Sequence, residues 1–546
     1  MSRVHALRIT LACALCVAST SFAAPPADLD RYAKRTLETF SVPGMAVAIV
    51  EQGRPADIRS YGVRKLGEPA SVDAHTLFAI GSTTKAFTTA LLAMLVDEGK
   101  LTWETKVADV LPGFRMYDPY VSSEMTVRDL VVHRSGLGPG AGDLLFFPPT
   151  SFTRAEIIHK LRFIKPVTSF RSAFAYDNLL YIVAGEVIAT VEKSTWEDVV
   201  RKRILAPLQM NETTATSALP AGANRAWPHA RVSTEVRGLG AMSALADVTT
   251  VDVAAAAGAL NSNGVEIARW LELQLNGGQD AKTNTRLFSE SQAREMWTPQ
   301  TLLPPSPPIK GLELARAHFR AYALGWSISE YRGEMIVSHA GGVPGMVTLF
   351  TIVPERHVAF ALFTNAEEPG ALSSMQFRLL DHYLGLKSPD WIAAVDETFK
   401  GRLEKAKEQL AASKEEAKDE LGSKGPSLAI EKYAGRYRDA WYGTVTIERA
   451  ADGMSIRFDH TPALTGKLEH VRYDTFRTRW TDRNVEDAYV TFALNPDGSI
   501  ERMTMRAISP LADFSYDYQD LMFLQRAPTL TGPCVRRRSR RYCIVW

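Results

Sequence analysis

Cysteine is almost missing from this chain: four among 546 residues, with Cys13 and Cys16 close to the N-terminus. At most one disulfide is left for the remainder, between Cys534 and Cys543, which flank the basic stretch VRRRSRRY. Two free thiols in a frayed tail is the equal alternative. Net charge is nearly absent too. A formal +2, from 63 Lys and Arg against 61 Asp and Glu, supplies no general field to draw nucleic acid or acidic partners. The basic tail has no aromatics interleaved among its arginines for base stacking. Long apolar runs are lacking as well: Ile9 to Val17 is about half of what spans a bilayer, so no integral membrane span is expected. No Gly-x-Ser-x-Gly occurs, which removes the nucleophile elbow of the α/β-hydrolases.

What is present begins with a leader. Arg3 and Arg8 precede the short apolar run, and small residues follow it up to Ala23. That is the layout of a secretory signal peptide over residues 1–23, which predicts a periplasmic or secreted protein. Neither TLAC nor CALC makes a good lipobox, so a lipid anchor is the lesser reading. Length suggests two or three domains. Residues 28–390 mix helical and strand patterns: GMAVAIVEQG near the start reads as a buried strand, and several strands follow at the end, from YALGWSISEY to VAFALFTN. An early strand and late strands around a helical middle predict an antiparallel sheet assembled from both chain ends, with a helical lobe inserted. Residues 396–426, dense in Glu, Lys and Ala, predict a solvated helical connector. Residues 430–527 alternate and turn at Asp452-Gly453 and Asp497-Gly498, as hairpins of a small β-barrel or sandwich do, and 528–546 form the basic tail. The aromatic stretch DFSYDYQDLMF near the end of the hairpin region reads as core packing, with a binding patch as the alternative.

Three short segments carry reactive residue types. In IGSTTKAFTTALLAMLVDEGKL, Phe87, Leu91, Met94 and Leu95 recur at helical spacing and Gly99 supplies a stop. Ser82 therefore sits at or just inside a helix start, with Lys85 one turn on. Ser82 can be an ordinary cap. It can also be a nucleophile, if burial or a nearby cation leaves Lys85 unprotonated and able to take the hydroxyl proton. In FAYDNLLYIVAGEV, Tyr176 and Asn178 precede an apolar helix, where Asp177 or Asn178 is a candidate cap. In VSHAGGVPGM, His339, Gly341 and Gly342 end a strand, and the glycines permit close backbone approach.

Taken in order, Ser82-Thr83-Thr84-Lys85, Tyr176-Asp177-Asn178 and His339-Ala340-Gly341 resemble the motif set of the penicillin-recognising serine hydrolases. The similarity is to the class C β-lactamase-like branch of D-aminopeptidases, DD-carboxypeptidases and esterases. It extends over most of residues 30–385 and takes in LVVHRSGLG, where His133 and Ser135 are expected to fix a loop. The fold it implies is α/β (α+β): a β-lactamase-like antiparallel sheet flanked by helices, a helical lobe, and a small C-terminal β-barrel-like domain of the kind appended to such hydrolases. The resemblance implies that Ser82 is acylated, that Lys85 and Tyr176 share the proton work, with a Tyr176 phenolate steadied by Lys85, and that no metal or organic cofactor is used. It further implies that Asn178 binds Lys85 and the substrate amide, that His339 orients the substrate or its carboxylate, and that the N–H groups of Ser82 and Gly342 form an oxyanion hole. The expected partner is a small peptide, with D-residues, or a small ester; the oligomeric state is left open. A slow-turnover penicillin sensor and a non-catalytic binding module are the alternatives. Two departures stand out. His339-Ala340-Gly341 replaces Lys-Thr-Gly, which removes a permanent cation, and TSFRSAF replaces a Pro-Gly turn upstream of Tyr176.

Overall fold

The structure is a computed structural model that describes residues 24–233, 237–246, 252–420, 425–450 and 453–525. The leader at 1–23 and the basic tail with Cys534 and Cys543 lie outside the described residues.

After helix α1 (Leu29–Phe40), strand β1 (Gly44–Glu51) carries no charge until its last position and is buried along its whole length. Its two-residue period divides it between two cores. Met45, Val47 and Ile49 join α1 in one cluster, while Ala46, Ala48 and Val50 join the other. A strand of this kind needs cover on both faces. The sheet continues with β2 (Asp57–Gly62), β3 (Thr301–Leu303), β4 (Arg320–Tyr322), β5 (Ser327–Tyr331), β6 (Glu334–Val343), β7 (Met346–Val353) and β8 (Val358–Thr364). Its order is β2-β1-β8-β7-β6-β5-β4-β3, and neighbours are antiparallel throughout. The two early strands thus join the late ones at β1 and β8, so the sheet is assembled from both chain ends as expected, with Met45 opposite Thr364 and Glu51 opposite Val358.

The helical middle supplies α2 (Thr84–Asp97) and α3 (Leu179–Glu192), apolar on nearly every side and buried for most of their length. Helix α4 (Gly264–Leu275) lies across β1 and β8, and α5 (Pro369–Tyr383) lies across β7 and β8. Helix α6 (Trp391–Glu420) contains the Glu/Lys/Ala stretch but starts earlier than that composition suggests. Its first turn is core: Trp391, Ile392 and Val395 are buried, and the Trp391 indole donates to Asp381 Oδ2 of α5 at 2.7 Å.

Eight antiparallel strands, from Gly435–Arg438 to Met522–Gln525, follow one another as a meander and close into a barrel. Tyr437 opposite Gln525 makes the closure, which leaves no free edge. Tyr437, Ile447, Phe458, Phe476, Trp480 and Phe492 are buried in this unit. The barrel is joined to the sheet unit by specific contacts. Lys160 Nζ donates to the carbonyls of Trp441 and Tyr442 at 2.7 and 3.1 Å, and Phe152 stacks on His460 at 4.0 Å. The loop after Ile500–Ala507 also reaches into the sheet unit, at the place described next.

Candidate active site

Ser82 lies in a single 3₁₀ turn, Gly81–Thr83, that feeds α2, so the reactive hydroxyl stands one step before the helix rather than within it. The turn is clamped to the sheet through one carbonyl. Ile80 O accepts from Thr83 Oγ1 at 2.8 Å and from Thr348 Oγ1 of β7 at 2.9 Å. Gly341 on β6 passes so close that a Cβ there would overlap Ile80 O, which is why the strand carries glycine at this point. Gly81, at φ +52°, rests on the next glycine: a Cβ on it would fall 2.8 Å from Gly342 N. Gly342 itself faces open space. Ser82 and the backbone of Gly342 therefore border the same opening.

Lys85 is fully buried. Its Nζ lies 2.9 Å from Ser82 Oγ, 2.8 Å from Asn178 Oδ1 and 3.0 Å from the carbonyl oxygen of Ala257. Desolvation pulls the amine down to about 7, against smaller opposing pulls from the Asp143 and Asp177 carboxyls. The partner set decides what a neutral amine would do. Asn178 Oδ1 and Ala257 O can only accept, so they take the two N–H bonds, and the lone pair is left for the Ser82 hydroxyl. That is the geometry of a general base.

Tyr176 and Asn178 arrive on the loop before α3. Asp177 Oδ1 accepts from Leu180 N at 3.1 Å and caps the helix, which frees the Asn178 side chain for Lys85. His133 and Ser135 hold this loop: Asp177 N donates to His133 Nδ1 at 3.2 Å, and Ser135 Oγ donates to Asp177 Oδ2 at 3.1 Å. The Tyr176 ring lies 4.9 Å from Lys85 Nζ. Although the residue is partly exposed, desolvation around it raises the phenol well above its ordinary value, outweighing the help of the Ser82 hydroxyl. The resting site thus holds a neutral phenol beside an easily deprotonated amine, the reverse of the phenolate-ammonium arrangement expected from the sequence.

His339 lies on β6 with 4% of its surface exposed. Nδ1 is 2.7 Å from the Ala340 carbonyl oxygen and must carry the proton, and Nε2 takes the Tyr322 hydroxyl at 2.9 Å. Burial and the nearby Lys85 push the imidazole down to about 3. The ring is neutral at physiological pH and adds no cation to the cleft. Its centroid is 6.4 Å from that of Tyr176, so the three sequence segments do converge.

Several groups at the site are residues that sequence reasoning did not single out. Asn178 Nδ2 donates to Asp143 Oδ2 at 2.9 Å, and the same oxygen accepts from Ser515 Oγ of the barrel loop at 2.8 Å. Burial pushes Asp143 up to about 8. Asp517 of that loop, fully buried, accepts from Gly142 N and Leu144 N at 2.6 and 3.1 Å. Phe514, 45% exposed, packs edge-on against Tyr176 at 5.8 Å. The aromatic stretch read as barrel core is therefore partly an arm against the site. Its only signal was an alternation of acids with aromatics in place of a plain apolar strand. Among the described residues, no group of three His, Cys, Asp or Glu side chains is placed to hold a metal.

A family model described as Beta-lactamase matches residues 29–384, and a second, Domain of unknown function (DUF3471), matches 422–525. The unguisins hydrolase of Aspergillus campestris (strain IBT 28561) is 28% identical over 511 residues, spanning 88% of this chain and 90% of its own. Penicillin-binding protein 4 of Amycolatopsis lactamdurans is 27% identical over 358 residues, 64% of this chain and 88% of its own. Two solved structures share the fold. The octameric penicillin-binding protein homologue from Pyrococcus abyssi has a TM-score of 0.56 at 18% identity, over 91% of this chain and 99% of that one. The D-amino acid amidase from Ochrobactrum anthropi SV3 complexed with L-phenylalanine amide has a TM-score of 0.51 at 22% identity, over 66% and 98%. With Ser82, Lys85, Tyr176, Asn178 and His339 all inside the matched span, the chain belongs to the beta-lactamase family and is a serine hydrolase.

Proposed function

We propose that the chain cleaves the amide bonds of short peptides containing D-residues, through an acyl-enzyme on Ser82. The observation that carries this reading is the buried Lys85 Nζ 2.9 Å from Ser82 Oγ, with its two other contacts, Asn178 Oδ1 and Ala257 O, both acceptors. Lys85 takes the hydroxyl proton as Oγ bonds to the carbonyl carbon. The carbonyl oxygen, now negative, faces the N–H groups of Ser82 and Gly342. Tyr176, a neutral phenol, passes its own proton to the departing nitrogen and takes the one held by Lys85; the C–N bond breaks and the amine leaves. Water then repeats the sequence against the ester, releasing the acid and restoring Ser82. Asn178 holds Lys85 and the substrate amide, and His339 borders the site as a neutral wall. A neutral His339 supports substrates that need no cation for a terminal carboxylate, which fits amides better than dedicated β-lactam hydrolysis. The full-length similarity to an unguisins hydrolase and the fold shared with a D-amino acid amidase support an amide substrate. The leader pattern supports export to the periplasm or outside the cell.

Intact-mass measurement after exposure to a fluorophosphonate, and separately to a penicillin, tests the nucleophile, with Ser82→Ala alongside. The expected result is one adduct per chain, absent from the variant; an adduct retained in Ser82→Ala sinks the assignment. A panel of D- and L-aminoacyl amides and small esters then tests substrate class. Turnover of esters with none of amides overturns the peptide reading, and a penicillin adduct that persists for hours without amide turnover identifies a sensor.

A further inference from the structure

Apart from Ser82 itself, Asn178 is the side chain that Lys85 bonds among the described residues, so what fixes Asn178 helps to fix the base. Its Oδ1 is committed to Lys85 and its Nδ2 to Asp143 Oδ2. Asp143 is fully buried in the short turn Asp143–Leu145, and its Oδ1 has no hydrogen-bond partner. A carboxyl group held at one oxygen can swing about its Cα–Cβ bond. A second contact on that oxygen is what holds it, and that contact comes from 372 residues along the chain: Ser515 Oγ donates to Asp143 Oδ2 at 2.8 Å.

The arm bearing Ser515 is itself seated firmly on the same turn. Asp517 accepts from Gly142 N and Leu144 N, and Gly140 lies so close to the Phe514 carbonyl that a Cβ on it would stand 2.6 Å from that oxygen. Gly140 N in turn donates to the carbonyl of Tyr176 at 2.8 Å. The barrel, the 140–145 turn and the Tyr176–Asn178 loop are thus locked together within a few residues of Lys85.

We propose that Ser515, carried by the C-terminal barrel, is a positioning residue of the Ser82 site: through the Asp143 carboxyl it fixes the amide of Asn178, and Asn178 fixes the Lys85 amine against Ser82 Oγ. The barrel is on this account a working part of the site and not an attached module. The inference rests on the Ser82–Lys85 reading above and deepens it.

The test is the second-order rate of fluorophosphonate labelling in the full chain, read by intact mass, for wild type, Ser515→Ala, Ser515→Thr, Asp143→Ala and the Ser515→Ala/Asp143→Ala double variant, each checked by thermal unfolding. Misplacing a reacting group by a fraction of an ångström costs on the order of tenfold in rate. Ser515→Ala is expected to label about tenfold more slowly, Ser515→Thr to recover most of that loss through its hydroxyl, and the double variant to be no slower than Asp143→Ala alone. A folded Ser515→Ala that labels at the wild-type rate overturns the proposal. So does a Thr variant as slow as Ala, or a double variant in which the two losses multiply. If Ser515→Ala fails to fold, Ser515→Thr against wild type decides: a folded Thr variant must label at close to the wild-type rate, and a tenfold loss refutes the hydroxyl's role. Failure of the underlying reading looks different: wild type then gives no adduct, or Ser82→Ala still gives one.

Discussion

The sharpest consequence of the site is the shape of its pH dependence. Lys85 activates Ser82 only as the free amine, and burial draws it from an ordinary 10.5 down to about 7. That displacement corresponds to about 5 kcal/mol against the ammonium form. The neutral fraction is then about one tenth at pH 6, about half at pH 7 and about nine tenths at pH 8, so labelling of Ser82 by a fluorophosphonate is expected to rise about tenfold from pH 6 to 8 and then level off. An amine left at 10.5 would be neutral in about one molecule in three thousand at pH 7, and the rate would climb tenfold per unit through pH 9 without levelling. The measurement is the pseudo-first-order labelling rate by intact mass from pH 5 to 9.5, corrected for probe hydrolysis, with Ser82→Ala as blank. His339 introduces no second step in this range, because its imidazole is held down at about 3. The buried Asp143 and Asp177 carboxyls that act on Lys85, raised to about 8 and about 6, titrate within it, so the profile is repeated in Asp143→Asn and Asp177→Asn. A profile still rising log-linearly at pH 9 refutes the claim that burial creates the base. A flat profile refutes Lys85 as the base altogether.

Two further outcomes follow from the same geometry. Gly341→Ala would drive a methyl into Ile80 O and is expected to lower the unfolding temperature by at least 5 °C or abolish soluble expression, whereas Gly342→Ala points into open space and is expected to keep the wild-type melting curve while slowing labelling of Ser82; equal thermal losses in the two would show that the clamp on Ile80 is misread. Asn178→Asp would set a carboxylate against Lys85 Nζ, and is expected to move the labelling midpoint upward by 1 to 3 units; an unmoved midpoint in a folded variant would separate Asn178 from the amine.

Much of this was legible in the sequence, and the part that was not has a physical reason. Ser82 and Lys85 are three residues apart, and helical periodicity alone places them on one face. Sheet assembly from both chain ends shows in GMAVAIVE and VAFALFT because strands covered on both faces must be apolar throughout. The glycines of β6 announce a close approach without saying to what; the partner, Ile80 O, lies some 260 residues away. Asp143 and Ser515 are further apart still, and each looks locally like a turn residue of a loop. Protonation states were the least legible. The sequence suggests a Tyr176 phenolate steadied by Lys85, but both groups lie where charge is poorly solvated, and the one whose neutral form is its base gives up its charge.

Asn178 makes sense as a spacer in these terms. A buried lysine near a buried aspartate has two neutralised states available: an ion pair, or a free amine beside a free acid. Direct contact between Lys85 and Asp143 would favour the ion pair, because the Coulomb attraction at contact distance offsets much of the desolvation, and the amine would then be a poor base. The amide sits between them instead. Its oxygen takes Lys85 and its nitrogen gives to Asp143, so the carboxyl acts on the amine only at a distance, and burial governs both groups separately: Lys85 falls to about 7 and Asp143 rises to about 8. Around neutrality Asp143 is therefore mostly the uncharged acid and Lys85 is close to its midpoint, and a proton can move onto Lys85 and off again at small cost in free energy. An acyl-transfer cycle asks this of its base twice, once when Ser82 attacks and once when water does.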